Sequence, residues 1–207
     1  MQITWHGLSC IRIQTKDATI LVDPFPATGG LSAPRLQADV FVFSDTANPQ
    51  RKNAPAGAFV LDSAGEFEHS NVTIHGTPVE QPGKSNVLSL ALFSFAAEGM
   101  LIGHLATLAR QLEDSELEYL EDADVLFIPV GGHGVLNADQ ATDVISQIEP
   151  RIVVPMYYKI PGLKQELDGV EKFTKELGAK STENGDKLRI SRKELPDEDL
   201  RVVVLKP

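Results

Sequence analysis

Ile11 and Ile13 alternate with polar neighbours, the period of a half-buried strand, and Lys16-Asp17 reads as the tip of a hairpin into Thr19-Ile20-Leu21-Val22. Val40-Phe41-Val42-Phe43 is apolar at every position, as suits a strand covered on both faces. Val72 and Ile74 alternate again. The stretch from Val87 to Phe93 does so less cleanly, and Met100-Leu101-Ile102 follows. The second half changes rhythm. Val125 to Pro129 and Ile152 to Pro155 predict buried strands, each followed by a helical pattern. Asn137 with Gln140 three residues on has capping-box spacing, Ala141, Val144, Ile145 and Ile148 share one helical face, and Pro150 ends that helix. Asp168 is placed to cap a second helix with Val170, Phe173 and Leu177 on its apolar face and Gly178 at its C-terminal end. Lys187 to Ile190 and Arg201 to Leu205 predict closing strands. The least regular stretches are Pro24 to Ala38 and Asp45 to Gly57, and both follow a buried strand, where functional loops usually sit.

The chain has 207 residues, which suits a single domain over 1–207 with enough buried surface to need no staples. Cys10 is the single cysteine, so no internal disulfide can form, and it reads as a small buried hydrophobe at the start of a strand. The N-terminal residues lack a basic start and an apolar core, and no apolar run is long enough to span a bilayer. The expectation is a soluble cytoplasmic protein. The formal net charge is −10 with no long basic cluster, which argues against nucleic acid as a partner.

Several short segments, in order along the chain, resemble one family. They are Ile3 to Cys10, Ile20-Leu21-Val22-Asp23-Pro24-Phe25, Gly65-Glu66-Phe67-Glu68, Gly103-His104-Leu105, Pro129-Val130-Gly131-Gly132, Pro155-Met156-Tyr157-Tyr158-Lys159 and Pro161-Gly162-Leu163-Lys164. Together they are similar to the small hydrolases of the metallo-β-lactamase superfamily, the branch that includes ascorbate-lactone hydrolases. The resemblance implies an α/β fold, a four-layer αββα sandwich with its site at strand ends between two sheets. It also implies two metal ions held by a His-x-His-x-Asp-His loop after the fourth strand. Here that loop reads Asp45-Thr46-Ala47-Asn48-Pro49-Gln50, and Asp45, Ala47, Pro49 and Gln50 stand at the ligand positions. Zinc prefers His, Cys and carboxylate donors, and Phe41 to Phe67 holds no His at all. Thr77 to Gln81 lacks the His that the family places there, Thr107 replaces the bridging Asp, Tyr157 replaces a late His, and Leu8 replaces an early one.

The residues that remain near strand ends are His6, Asp23, Asp45, Glu66, His104, Thr107, His133 and Tyr157. One reading gathers three His and a carboxylate into a rearranged site for one zinc ion or a polar ligand. The other gives each residue a local role. Asp23 braces a turn, His104 is structural, His133 belongs to its loop, and Tyr157 fills the vacated metal space and hydrogen-bonds across it. His69 and His75 are expected to flank a short strand and be exposed. The favoured expectation is no bound cofactor and no zinc-dependent hydrolysis, with a binding or assembly role on a hydrolase scaffold, alone as a homo-oligomer or with an active relative. The alternative is a hydrolase of esters, lactones or phosphoesters with altered metal ligands.

Overall fold

Alternation sorts side chains between two faces as the pattern demands. The computed structural model describes residues 1–81, 90–179, 182–197 and 199–207. In chain order the described strands are β1 (Gln2–Trp5), β2 (Ile11–Gln14), β3 (Thr19–Val22), β4 (Val40–Val42), β5 (Phe59–Leu61), β6 (Gly65–His69), β7 (Val72–Val79), β8 (Leu90–Ala97) and β9 (Met100–His104). They continue with β10 (Val125–Pro129), β11 (Ile152–Met156), β12 (Thr182–Gly185), β13 (Leu188–Arg189) and β14 (Arg201–Leu205). A short helix α1 (Asp114–Leu117) precedes β10, α2 (Ala138–Ile148) joins β10 to β11, and α3 (Val170–Glu176) follows β11.

The strands form two mixed sheets. One has the order β13-β1-β2-β3-β4-β5 and the other β12-β14-β11-β10-β9-β8-β7-β6. Flanked by the helices, they make the expected sandwich of metallo-β-lactamase type. Ile3, Trp5, Ile11, Ile13, Ile20, Val22, Val40 and Val42 of the first sheet share one buried cluster with Ile74, Phe93, Phe95, Ile102, Phe127 and Val154 of the second. Burial of such side chains stabilises by about 1.5–3 kcal/mol each, so this inter-sheet layer carries most of the fold.

The described α-helices lie in crossovers between strands of the second sheet. The capping box on α2 forms in full: Gln140 N–H donates to Asn137 Oδ1 at 3.0 Å and the Gln140 side chain returns to the Asn137 N–H. Ala141, Val144, Ile145 and Ile148 are buried, and Glu149 in a left-handed conformation closes the helix ahead of Pro150. On the far side of the first sheet the cover is different. Cys10, Leu21, Phe25, Phe41 and Phe43 form a second small core against Leu31, Leu36, Ala38, Ala54 and Ala58. The two irregular stretches thus supply that layer, with a 3₁₀ turn at Pro49–Asn53 in the second.

Three expectations are corrected. Gly169, not Asp168, caps α3, and the Asp168 carboxylate instead pairs with Lys172 Nζ at 2.8 Å. β8 spans Leu90–Ala97, and the Val87 to Ser89 part of the expected stretch lies outside the described residues. His75 sits within β7 rather than beside it, with its ring stacked on Tyr119 at 3.3 Å between centroids. His69, at the end of β6, is half-buried and stacked on Phe59 at 5.0 Å.

The sandwich positions the site through its parallel strands. β3, β4 and β5 run parallel in one sheet and β9, β10 and β11 in the other. Their carboxyl ends release Asp23, Phe43, Asp62, Leu105, Val130 and Tyr157 into loops, and ligands of α/β sheets commonly bind at such ends.

Candidate functional site

Asp23 leaves β3 with a φ of +47°, a conformation that Asp tolerates better than most side chains. Its backbone N–H donates to Val42 O, which ties it to the neighbouring strand. Both carboxylate oxygens then accept from one residue: Ser44 N–H reaches Oδ1 at 2.7 Å and Ser44 Oγ reaches Oδ2 at 2.5 Å. The Ser9 hydroxyl also donates to this carboxylate. His104, at the end of β9, is fully buried beside it. Ala106 N–H donates to His104 Nδ1 at 3.3 Å, so the ring proton belongs on Nε2, which lies 2.8 Å from Ser9 O as a donor. Burial pushes the imidazole below its ordinary 6.5, opposed by the Asp23 charge and the Ser9 bond. Burial raises the Asp23 carboxyl, while His104, Ser44 and Ser9 hold it down.

These bonds decide what the pair can do. A metal ligand must offer a lone pair, and a hydrolytic site needs several ligands plus an open position for water. His104 has spent one nitrogen as an acceptor and carries a proton on the other. The two nearest polar neighbours are serines, whose hydroxyls are weak donors to zinc. Among the described residues no group of three or more His, Cys, Asp or Glu is placed to hold an ion. The residues present therefore do not fit the two-metal centre that the resemblance implies.

The loop after β4 is closed on itself. Asp45 Oδ1 accepts from Ala47 N–H at 2.8 Å, and Asn48 Oδ1 accepts from Gln50 N–H at 2.9 Å as the cap of the 3₁₀ turn. Asn48 Nδ2 donates to Pro24 O at 3.1 Å, pinning this loop to the one after β3. Gln50 is buried and its Oε1 accepts from Asn53 at 2.7 Å. Asp45 and Gln50, at two of the positions where the resemblance implies ligands, thus accept hydrogen bonds from their own loop. A cavity of about 250 Å³ remains beside it, lined by Ser44, Thr46, Asp62, Ser63, Pro78 and Leu90.

Of the eight candidates only Asp23 and His104 come together. Glu66 lies on the exposed β6 hairpin, 3.3 Å from Tyr119 Oη and 3.6 Å from His75 Nδ1, so it does not join them. His133 is exposed in its loop, 3.9 Å from Asp168 Oδ1. Thr107 contributes its backbone oxygen to Gln81 Nε2 at 2.8 Å. His6 faces a separate groove with Arg12. Tyr157 packs half-buried against the inter-sheet core with its N–H on Leu8 O at 3.1 Å. Its hydroxyl makes no hydrogen bond across the site among the described residues, which corrects the bridging role expected of it. Its neighbour Tyr158 does bond, through Oη to Leu205 O at 2.9 Å, while its ring leans on Trp5. Cys10 is fully buried with its thiol pushed well up by desolvation, which makes it inert as a nucleophile.

Comparison with known proteins settles the lineage. The family model described as a beta-lactamase superfamily domain matches residues 2–157. The chain belongs to the beta-lactamase superfamily. A Thermotoga maritima structure of the metallo-β-lactamase superfamily is 28% identical, with a TM-score of 0.78 over 99% of this chain and 100% of that one. A Pyrococcus abyssi protein of the UPF0173 group is 23% identical over 81% of this chain and 90% of its own. An Anoxybacillus flavithermus protein named as a UPF0173 metal-dependent hydrolase is 25% identical over 80% of this chain and 90% of its own. This superfamily member shares its fold with the Thermotoga maritima structure, and the polar centre between its sheets is built around Ser9 and Ser44. Neither serine stands out in the sequence, because each is a lone small polar residue at the edge of an apolar stretch.

The pair has a pH signature. Folded His104 titrates below its ordinary 6.5, and so does His6, through burial and the Arg12 charge. Both therefore contribute stability that is fully present above 6.5 and is lost as pH falls through the folded values. Asp23, raised above its ordinary 3.8, acts with the opposite sign: its contribution is present below 3.8 and lost as pH rises through its folded value. Urea midpoints are expected to drop between pH 7.5 and pH 5.5. In His104→Gln, whose amide can replace both ring contacts, much of that drop should vanish. An identical drop in the variant would show that His104 is not held neutral.

Proposed function

We propose that this protein is a metal-free superfamily member that acts by binding or assembly on a hydrolase scaffold and does not perform zinc-dependent hydrolysis. The observation that carries this is the neutral His104 locked between Ser9 O and Ala106 N–H, with Asp23 turned onto Ser44. Removing those donors from use leaves no way to lower the pKa of a bound water. Names such as metal-dependent hydrolase belong to relatives at about a quarter identity, and the donor set speaks against carrying that chemistry over. Among the described residues no helix is long and apolar enough to cross a membrane. On this reading the protein works in the cytoplasm, and its partner is a second copy or an active relative.

Metal content tests the proposal directly. Untagged protein dialysed against zinc and manganese, then analysed by plasma mass spectrometry, is expected to hold less than about a tenth of an ion per chain. Structural and catalytic zinc sites bind far too tightly to be missed under these conditions. One or two ions per chain, lost together with an esterase or phosphoesterase activity on chelation, would overturn the proposal.

A further inference from the structure

The outer face of the first sheet is divided. Register places Thr4 opposite Arg12, Arg12 opposite Leu21 and Leu21 opposite Phe41, so these four side chains form one row across the strands. The apolar half, Leu21 and Phe41, is sealed by the two irregular loops. The polar half opens into a groove of about 1090 Å³, at the upper end of the usual size of a small-molecule site. Its floor carries Thr4, His6 and Arg12, and its apolar wall carries Leu31, Ile160 and Val170.

Arg12 is the feature that points to a ligand. Its Nη2 donates to Arg35 O at 2.8 Å, which fixes the guanidinium against the loop after β3. Its Nε is buried and, among the described residues, has no hydrogen-bond partner. A buried N–H without an acceptor is costly, and a turn of the half-buried guanidinium toward the groove would let an oxyanion offset that cost. His6 stands beside it, with Nε2 3.5 Å from Thr4 Oγ1. The charge around the groove runs against the rest of the molecule. The chain as a whole is −10, yet among the described residues Arg12, Arg35, Lys159 and Lys206 line this space against the single acidic side chain Glu171.

We propose that this groove binds a small amphipathic oxyanion, a carboxylate or phosphate monoester with an apolar body. Arg12 takes the anion, and Leu31, Ile160 and Val170 take the body. The planar guanidinium fork matches either oxyanion, and the wall adds affinity only for an ion with an apolar part to bury. The site lies apart from Asp23 and His104, so it stands whether or not metal chemistry occurs at the strand ends, and its test involves no metal.

Calorimetric titration of the full chain with octanoate tests it, with inorganic phosphate and octanol as the half-ligands. Octanoate is expected to bind saturably, and each half-ligand at least tenfold more weakly. Arg12→Gln should weaken octanoate at least tenfold. Val170→Glu, which sets a like charge at the start of α3 where a helix tolerates it well, should do the same without touching Arg12. No saturable octanoate binding, phosphate or octanol binding as tightly as octanoate, or parental affinity in every folded variant would overturn the proposal.

Discussion

Gly131→Ala is expected to destabilise the protein by about 3 kcal/mol, as overpacking against an unyielding backbone does. A Cβ at Gly131 would stand 2.2 Å from Tyr157 O and 3.1 Å from Leu167 Cδ2. The side chain of Leu167 could turn aside, but the carbonyl cannot. Tyr157 N–H is bonded to Leu8 O in the turn between β1 and β2, and Gly131 O accepts from Asp168 N–H at 2.8 Å. Relief would need the ends of β10 and β11 to part, although Val130 N–H is bonded to Met156 O there. Gly178 supplies the contrast: it has a φ of +64° and nothing within 4 Å of an added Cβ. Gly178→Ala therefore reports backbone strain alone, about 1–2 kcal/mol. Urea unfolding of both variants separates contact from strain. If Gly131→Ala were no worse than Gly178→Ala, the close approach of the two strand ends would not exist in solution.

That contact also shows what could be read from the chain beforehand. Pro129-Val130-Gly131-Gly132 was visible as a motif, and its glycines matter because a neighbouring carbonyl occupies the space a side chain would need. The inter-sheet strands were legible for a simple reason. Burial on one face imposes period 2 at Ile11 and Ile13, and burial on both removes polar residues from Val40 to Val42. α2 was legible because Asn137 and Gln140 cap it in sequence. β12, in contrast, reads Thr-Glu-Asn-Gly and exposes nearly every side chain at a sheet edge, so no apolar period marks it. The same holds for Glu66 and Glu68 of β6, which face solvent.

The candidate site was legible only as family ligands missing from their motifs. Absence of His from Phe41 to Phe67 is a one-dimensional fact. Which survivors meet is a three-dimensional fact. His6 and His104 are both near strand ends in sequence, yet one faces outward from the first sheet and the other inward from the second. Glu66 belongs to a motif the family shares, but the hairpin carries it to Tyr119 and His75. The outward row from Thr4 to Phe41 follows from register, and register depends on turn lengths that hydrophobic periodicity does not encode.

Asp23→Ala is the second large effect, again about 3 kcal/mol, and it falls on stability rather than on any activity. The substitution removes the acceptor of both the Ser44 N–H and the Ser44 hydroxyl in a buried setting, each worth about 1–3 kcal/mol when left unpaired. Alanine must also hold a φ of +47°, which it tolerates less well than Asp. Working against these is the loss of a carboxylate whose ionisation burial already disfavours, so the net falls below the plain sum. Two further variants apportion it. Asp23→Asn keeps one acceptor and the backbone tolerance, and should cost clearly less. In a double-mutant cycle with Ser44→Ala, the hydroxyl is no longer stranded, and a coupling of about 1 kcal/mol or more is expected. The His104 titration, followed by NMR, should move further down in Asp23→Ala, because the carboxylate that raises it is gone. Additive energies with an unmoved His104 would mean that Asp23, Ser44 and His104 do not form one network. The proposed metal-free centre predicts the reverse: the carboxylate and imidazole at the strand ends hold the two sheets together there.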